Sequence, residues 1–272
     1  MQSILITGGT GTLGQELSKQ LLAKGYSVNI LSSKEKPEIA FFTNIIQGDL
    51  TDQSSLEKAV ESSEIIIHCA SNPRNAQVVD IEGTRNLLAL IDKNHCKHFL
   101  YVSIAGVDKS DYPYYQTKYA VEKLIEASEL PYSILRATQF HDLVLYRLIQ
   151  VFDQGPGKPI QIPAGMKFQS IDKSDTATSV IELVANKPTY TITTIGGPEV
   201  LTLENMTEDY FAQSGRNEEI VYIEPSTAFY QVFTTGINLC PENAIKGITW
   251  QQYLSNLQLQ EVTTPSENKS GL

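Results

Sequence analysis

Apolar and polar positions follow two rhythms along the first half of the chain. Ser3-Ile4-Leu5-Ile6-Thr7 is a short β-branched run that ends in glycines, and from Thr12 onward Leu13, Leu17, Leu21 and Leu22 recur at helical spacing. The pattern predicts a strand, a tight turn and a helix. Gly25 stands where a helix end takes glycine, and Ser27-Val28-Asn29-Ile30-Leu31 supplies a second strand. Together these close one βαβ unit, whose right-handed crossover makes the two strands parallel.

The alternation continues. Asn44-Ile45-Ile46-Gln47, Ile65-Ile66-Ile67-His68-Cys69, His98-Phe99-Leu100-Tyr101-Val102-Ser103 and Tyr132-Ser133-Ile134-Leu135 read as four more strands, each separated from the next by a helix-compatible segment. Near-continuous apolar runs such as Ile65-Ile66-Ile67 suit strands covered by helices on both faces. The fold class that follows is α/β, a doubly wound parallel sheet of Rossmann type.

After a helix expected around His141 to Phe152, Gly155-Pro156-Gly157-Lys158-Pro159 breaks the pattern. The chain divides there into a dinucleotide-binding domain, residues 1–155, and a smaller C-terminal substrate region, residues 156–262. Residues 263–272 are polar and carry Gly, Ser and Pro, the composition of a mobile tail. Tyr190-Thr191-Ile192-Thr193-Thr194-Ile195 is β-rich and is expected to return to the main sheet, which makes the C-terminal region partly interwoven with the first domain.

The turn between the first strand and the first helix carries glycines at Gly8, Gly11 and Gly14, a G-x-x-G-x-x-G spacing, with Gly9 in addition. Missing side chains allow the tight turn, let the backbone approach a pyrophosphate and leave the helix N-terminus to meet negative charge. Its place between a strand and a helix turns this spacing into evidence. Gly8, Thr10, Gly11, Thr12, Leu13 and Gly14 are therefore candidate cofactor-binding residues. Cofactor choice is read after the second strand, where an acidic residue would accept from a ribose 2′-hydroxyl. Ser32, Ser33 and Lys34 stand there instead. Two hydroxyls and an ammonium suit a 2′-phosphate, favouring NADP, while Glu35 beside them keeps NAD possible.

Composition narrows the partners. The 272 residues are 41% hydrophobic and 19% charged with a formal net charge of −10, which opposes nucleic acid and anionic membrane surfaces. No apolar run is long enough to cross a bilayer and the N-terminus starts at once on a strand pattern, so the expectation is a cytoplasmic protein with a small-molecule substrate. Cys69, Cys96 and Cys240 are odd in number and scattered, as packing thiols in a reducing compartment would be. His95, Cys96 and His98 straddle a helix end and a strand start, where their side chains diverge, so no metal site is expected.

Tyr114-Tyr115-Gln116-Thr117-Lys118 contains Tyr-x-x-x-Lys, and residues four apart share one face of a helix. A phenol titrating near 10 is a poor acid–base group at neutral pH, and a fixed positive charge beside it is expected to lower that value. Ser103, at the end of the fifth strand, is placed to hydrogen-bond a substrate carbonyl.

The glycine turn, Gly48-Asp49-Leu50 and His68-Cys69-Ala70-Ser71 resemble the short-chain dehydrogenase/reductase superfamily. Asp80-Ile81-Glu82-Gly83-Thr84-Arg85-Asn86-Leu87-Leu88, Val102-Ser103-Ile104-Ala105-Gly106-Val107, Leu135-Arg136-Ala137-Thr138-Gln139-Phe140 and Ser170-Ile171-Asp172-Lys173-Ser174-Asp175-Thr176-Ala177 are similar to its NmrA-like, atypical branch. The likeness covers most of residues 1–185. It implies that Asp49 and Leu50 lie against the adenine, that Cys69, Ala70 and Ser71 pass near the middle of the cofactor and its nicotinamide-side ribose, and that Lys118 holds that ribose. It also implies that Gln139, Phe140 and His141 border the substrate. The family often has an Arg where Ser33 stands, leaving Lys34 as the substitute. Two functions stay open: an NADPH-dependent oxidoreductase of a small carbonyl or quinone-like substrate, with Tyr114, Lys118 and Ser103 catalytic, or a non-catalytic NADP(H)-sensing regulator. An epimerase or assembly factor that retains its nucleotide would share the same first domain.

Overall fold

A computed structural model describes residues 2–39, 41 and 43–263, with side chains through residue 257. From residue 264 onward the expected tail lies outside the described residues. The chain opens with β1 (Ser3–Thr7), α1 (Thr12–Ala23), β2 (Ser27–Ser32), β3 (Asn44–Gln47), α2 (Glu57–Glu61), β4 (Ile65–His68), α3 (Gly83–Leu90), β5 (His98–Ile104), α4 (Pro113–Glu126) and β6 (Tyr132–Ala137). Every strand predicted from the hydrophobic pattern is present; β2, β5 and β6 run a residue or two further than predicted, and β4 ends one residue earlier, at His68. Beyond β6 come α5 (His141–Val144), β7 (Ile160–Pro163), β8 (Lys167–Phe168), α6 (Lys173–Ala185) and β9 (Ile192–Ile195). The last elements are β10 (Leu201–Thr202), α7 (Leu203–Gln213), β11 (Ile220–Ile223), α8 (Ala228–Thr234) and α9 (Trp250–Thr263).

Seven strands form one sheet in the order β3-β2-β1-β4-β5-β6-β9, and every pairing in it is parallel. The returning run near residue 190 does join it, β9 pairing with β6 in the register Leu135↔Thr193. Alternating side chains along each strand feed two cores. Ile4, Ile6, Val28, Ile30, Ile65 and Ile67 face Leu17 and Leu21 of α1 and Val180 and Val184 of α6. Leu5, Leu31, Ile66, Phe99 and Ile134 face Leu87 of α3 and Val121 and Ile125 of α4. Each of these fully buried side chains contributes about 1.5–3 kcal/mol of transfer free energy.

A third core holds the C-terminal region against the first. Phe168, Phe211, Phe233, Trp250 and Tyr253 pack with Tyr115 of α4 and with Val144, Leu145 and Leu148 after β6. Two small sheets frame it, β7 parallel to β11 and β8 antiparallel to β10. The helix expected from His141 to Phe152 is shorter than its pattern: α5 gives way to a wide turn over Leu145–Ile149, where the Gln150 amide reaches the Leu145 carbonyl at 2.8 Å. Among the described residues no helix is long and apolar enough to cross a membrane.

Strand order reverses between β1 and β4. In open parallel sheets the crevice at the carboxyl ends of such a pair is where ligands collect. Here it is bounded by the glycine turn after β1 and by Cys69-Ala70-Ser71 after β4.

Candidate functional site

The glycine turn is shaped by close approach. Gly8 has φ +70°, and a Cβ there would lie 2.6 Å from the Ala70 amide nitrogen. A Cβ on Gly14 would strike the Gly8 carbonyl and lie 2.6 Å from Gly9 Cα. Only glycine lets the loops after β1 and β4 pack so tightly. Gly11, the N-cap of α1, supplies no side-chain acceptor, so the first-turn amides of Thr12, Leu13 and Gly14 keep their positive ends for a ligand. Gln15 Nε2 braces the turn by donating to the Thr10 carbonyl at 2.9 Å. This cradle, with no room for a Cβ and with helix amides to spare, fits a pyrophosphate. Beside it lies a pocket of about 510 Å³ whose walls include Thr10, Gly11, Thr12, Phe41, Asp142 and Lys173.

At the end of β2 the Ser32 hydroxyl accepts from the Lys34 amide at 3.1 Å. Ser32 is thus buried and shapes the loop, while Ser33 and Lys34 face solvent. Past β3 the Asp49 carboxylate accepts from the Thr51 amide at 2.9 Å and from its hydroxyl at 2.8 Å. Leu50 is buried against Gly83, where a Cβ would come within 2.8 Å of its own. Asn86 holds the Leu50 carbonyl at 2.8 Å.

At the other end of the crevice α4 brings Tyr114 and Lys118 to one side. The Lys118 ammonium is buried, donates to the Val102 carbonyl at 3.1 Å and stands 4.4 Å from the centre of the Tyr101 ring. Burial holds its pKa below the usual lysine range, opposed by the Asp80 charge. Tyr114 OH lies 2.8 Å from Ser71 Oγ, which in turn donates to Asp80 Oδ1 at 2.5 Å. Burial pushes the Tyr114 phenol up to about 12. This reverses the expected lowering, because Lys118 spends its charge on Val102 and Tyr101 and not on the phenol.

Ser103 is not brought to Tyr114. Its hydroxyl donates to Glu122 Oε1 at 2.5 Å, inside a buried cluster in which Arg136 binds both Glu122 oxygens and reaches Asp108 at 2.8 Å. The hydroxyl that does stand beside Tyr114 belongs to Ser71, expected only as a cofactor neighbour. Asp80, Glu122 and Arg136 were not singled out from the sequence as site residues. For Asp80 the available signal was a lone acid in an otherwise apolar stretch, Val78-Val79-Asp80-Ile81.

The segment after β6 is also committed inward. Gln139 donates to the Tyr115 hydroxyl at 3.1 Å and accepts from Asn238 at 3.1 Å. Phe140 is half-buried and bridges to Ile171. His141 has both ring nitrogens engaged: the Ile248 carbonyl at 2.9 Å can only accept, so Nε2 carries the hydrogen and Nδ1 accepts from Ser170 at 2.8 Å. Burial lowers its pKa, and the ring packs on Trp250 and Tyr253, so its visible work is to seat α9. Cys69 is likewise a packing thiol, pushed up to about 12 by burial.

The solved structure of an Escherichia coli NADPH-dependent quinone oxidoreductase complexed with NADPH is similar, with a TM-score of 0.77 at 17% identity over 94% of this chain and 99% of that one. The Bordetella bronchiseptica enzyme WbmH in complex with NAD+ gives a TM-score of 0.68 at 15% identity, covering 83% and 87% of the two chains. At such identities the likeness is one of fold. In sequence, the photosystem II assembly factor Ycf39 of Synechocystis is 27% identical over 200 residues, 68% of this chain and 60% of that protein. The chain spans about half the length of the curated relatives it matches. Residues 1–261, nearly the whole described chain, match the NmrA-like family, and the chain belongs to that family.

Proposed function

We propose that this protein is an oxidoreductase that binds a nicotinamide dinucleotide, NADP in preference to NAD, and reduces a small carbonyl or quinone-like substrate. The bound dinucleotide would supply hydride exchange at its nicotinamide. The glycine turn and the amides of α1 would take the pyrophosphate, and Ser33 and Lys34 the 2′-phosphate. Asp49 and Leu50 would flank the adenine, and Cys69, Ala70 and Ser71 would line its path. Lys118 would hold the nicotinamide-side ribose.

The observation that carries this reading is the Tyr114 phenol, placed at the crevice 2.8 Å from Ser71 Oγ. Burial keeps it a neutral phenol at neutral pH, so in reduction it would give up its proton only as hydride transfer builds negative charge on the substrate oxygen. Ser71 takes the place beside it that Ser103 was expected to fill. We assign Ser103 and His141 to positioning, Ser103 by fixing α4 through Glu122 and His141 by seating α9. Gln139 and Phe140 form the border nearest the substrate.

The test is loss of NADPH absorbance with a panel of benzoquinones, naphthoquinones and small aldehydes. Tyr114→Phe should lower turnover about 10²-fold and leave NADPH affinity within twofold. Unchanged turnover would remove Tyr114 from the mechanism. The non-catalytic sensing reading has its own support, since neither Ser103 nor Lys118 has its polar group turned to Tyr114, and a similar protein is an assembly factor. NADPH binding without turnover across the whole panel would establish it in place of the first.

A further inference from the structure

Asp80 ends a hydrogen-bond chain whose direction follows from counting its hydrogens. The residue is 1% exposed, in the wide helical turn Gln77–Glu82 that leads into α3. Its Oδ1 accepts from Ser71 Oγ at 2.5 Å and its Oδ2 from the Asn72 amide at 2.9 Å. A second chain fixes its backbone. The Thr84 hydroxyl donates to the Asp80 carbonyl, so His68 Nε2, 2.9 Å from that hydroxyl, is the donor to it, and His68 Nδ1 accepts from Thr7 at 2.6 Å.

Ser71 owns a single hydroxyl hydrogen, and that hydrogen goes to Asp80 Oδ1. In the 2.8 Å contact between Ser71 and Tyr114 the phenol must donate. The order runs Tyr114 to Ser71 to Asp80, one way, from the crevice to a buried carboxylate.

We propose that Asp80 is the terminal proton acceptor and donor for Tyr114, working through the Ser71 hydroxyl; this rests on the reading of Tyr114 as the acid–base group. When a substrate hydroxyl is deprotonated, its proton passes to the Tyr114 oxygen, the phenolic hydrogen to Ser71 Oγ, and the Ser71 hydrogen to Asp80, which becomes a neutral carboxylic acid. Proton delivery is the same sequence in reverse: Asp80 gives its proton to Ser71, Ser71 to Tyr114 and Tyr114 to the substrate oxygen, leaving the carboxylate. Between turnovers water in the crevice restores the starting state of Asp80 through the same two hydroxyls, since the carboxylate itself is 1% exposed. Asp80 is thus a positioning residue, acting on substrate only through two hydroxyls. The other titratable groups facing this chain are Lys118 and Tyr101 beside Asp80, and Tyr112 and Tyr115 beside Tyr114.

The test is a titration of Tyr114 in the full chain labelled with [13Cζ]tyrosine, its resonance assigned by its absence in Tyr114→Phe, with and without NADPH. Asp80→Asn should lower the Tyr114 pKa by about one unit, since it removes the charge that favours the neutral phenol. In a Ser71→Ala background the same substitution should have less than half that effect. Equal shifts in both backgrounds would mean a through-space charge and no relay. Asp80 with a merely structural role would lower the melting temperature without moving the titration. Should Asp80→Asn fail to fold, Ser71→Ala alone decides: a fall in the Tyr114 pKa supports a Ser71 that accepts from the phenol, and a rise or no change overturns the proposed direction. The two readings fail separately. Full quinone turnover in Tyr114→Phe rejects the catalytic role whatever the titration does, whereas a titration blind to Asp80 and Ser71 rejects the relay even if Tyr114→Phe is inactive.

Discussion

Arg136 and Glu122 form a two-pronged ion pair, Nε to Oε1 at 2.9 Å and Nη2 to Oε2 at 2.6 Å, with Glu122 fully buried. Arg136 belongs to β6, Glu122 to α4, and Ser103 of β5 adds a third hydrogen bond. The helix that presents Tyr114 and Lys118 is therefore fastened to two neighbouring strands. Glu122→Leu should cost about 3–5 kcal/mol in urea unfolding, because it leaves the buried guanidinium with Asp108 alone and the Ser103 hydroxyl without its acceptor. Adding Arg136→Met should recover part of that loss. A cost below about 1 kcal/mol for the single variant would show that the pair does not fasten the helix.

Gly14→Ala places a methyl group against the Gly8 carbonyl and 2.6 Å from Gly9 Cα. The turn must widen, at about 1–3 kcal/mol in thermal or chemical unfolding. If the cradle receives the pyrophosphate, NADPH affinity measured by fluorescence titration should fall at least about tenfold as well, since a loss of about 1.4 kcal/mol in binding is tenfold. Intact binding in a destabilised variant would place the pyrophosphate elsewhere.

Acid should weaken the fold through His68. Its ring lies between Thr7 and Thr84, and burial depresses its pKa from 6.5 to about 3. On acidification the unfolded chain takes up this proton first. The stabilisation is complete above about pH 6.5 and is lost as pH falls toward 3, at about 1.4 kcal/mol per pH unit. His98, depressed to about 4 by burial, works in the same direction. Urea titrations between pH 7 and 4.5 should give a shallower slope for His68→Gln than for the parent protein, and identical slopes would contradict the assignment.

Cofactor choice is expected to rest on Lys34. Lys34→Ala should weaken NADP by about tenfold or more, the worth of one charge-assisted hydrogen bond, and leave NAD nearly unchanged. Equal losses in calorimetric titrations with the two nucleotides would remove Lys34 from 2′-phosphate recognition.

The sheet and the glycine turn were legible in the sequence because both are written locally. Ile4, Leu5 and Ile6 report their own burial, and Gly8, Gly11 and Gly14 report a backbone that tolerates no Cβ. Even the return of β9 was readable from a β-rich run. The small sheets were not: β8 and β10 are two residues each and carry no periodicity of their own. The site was legible in its residue types and not in their directions. Tyr114 and Lys118 do share a face of α4, but where the ammonium points is decided by the Val102 carbonyl and the Tyr101 ring, from another element. Ser103 looked available until Glu122, nineteen positions away, took its hydrogen. Asp80 showed in the sequence only as a lone acid in an apolar stretch, because its meeting with Ser71 and Asn72 across a loop is not written locally.

The place of β9 at the edge of the sheet has a consequence for how this chain is made. Until β9 has left the ribosome, β6 presents an unpaired row of amides and carbonyls, the kind of edge that recruits strands from other chains. Nearly two hundred residues must therefore emerge before β6 is covered and β9 takes over as the edge strand on that side, and a stalled or truncated nascent chain would expose β6 for longest.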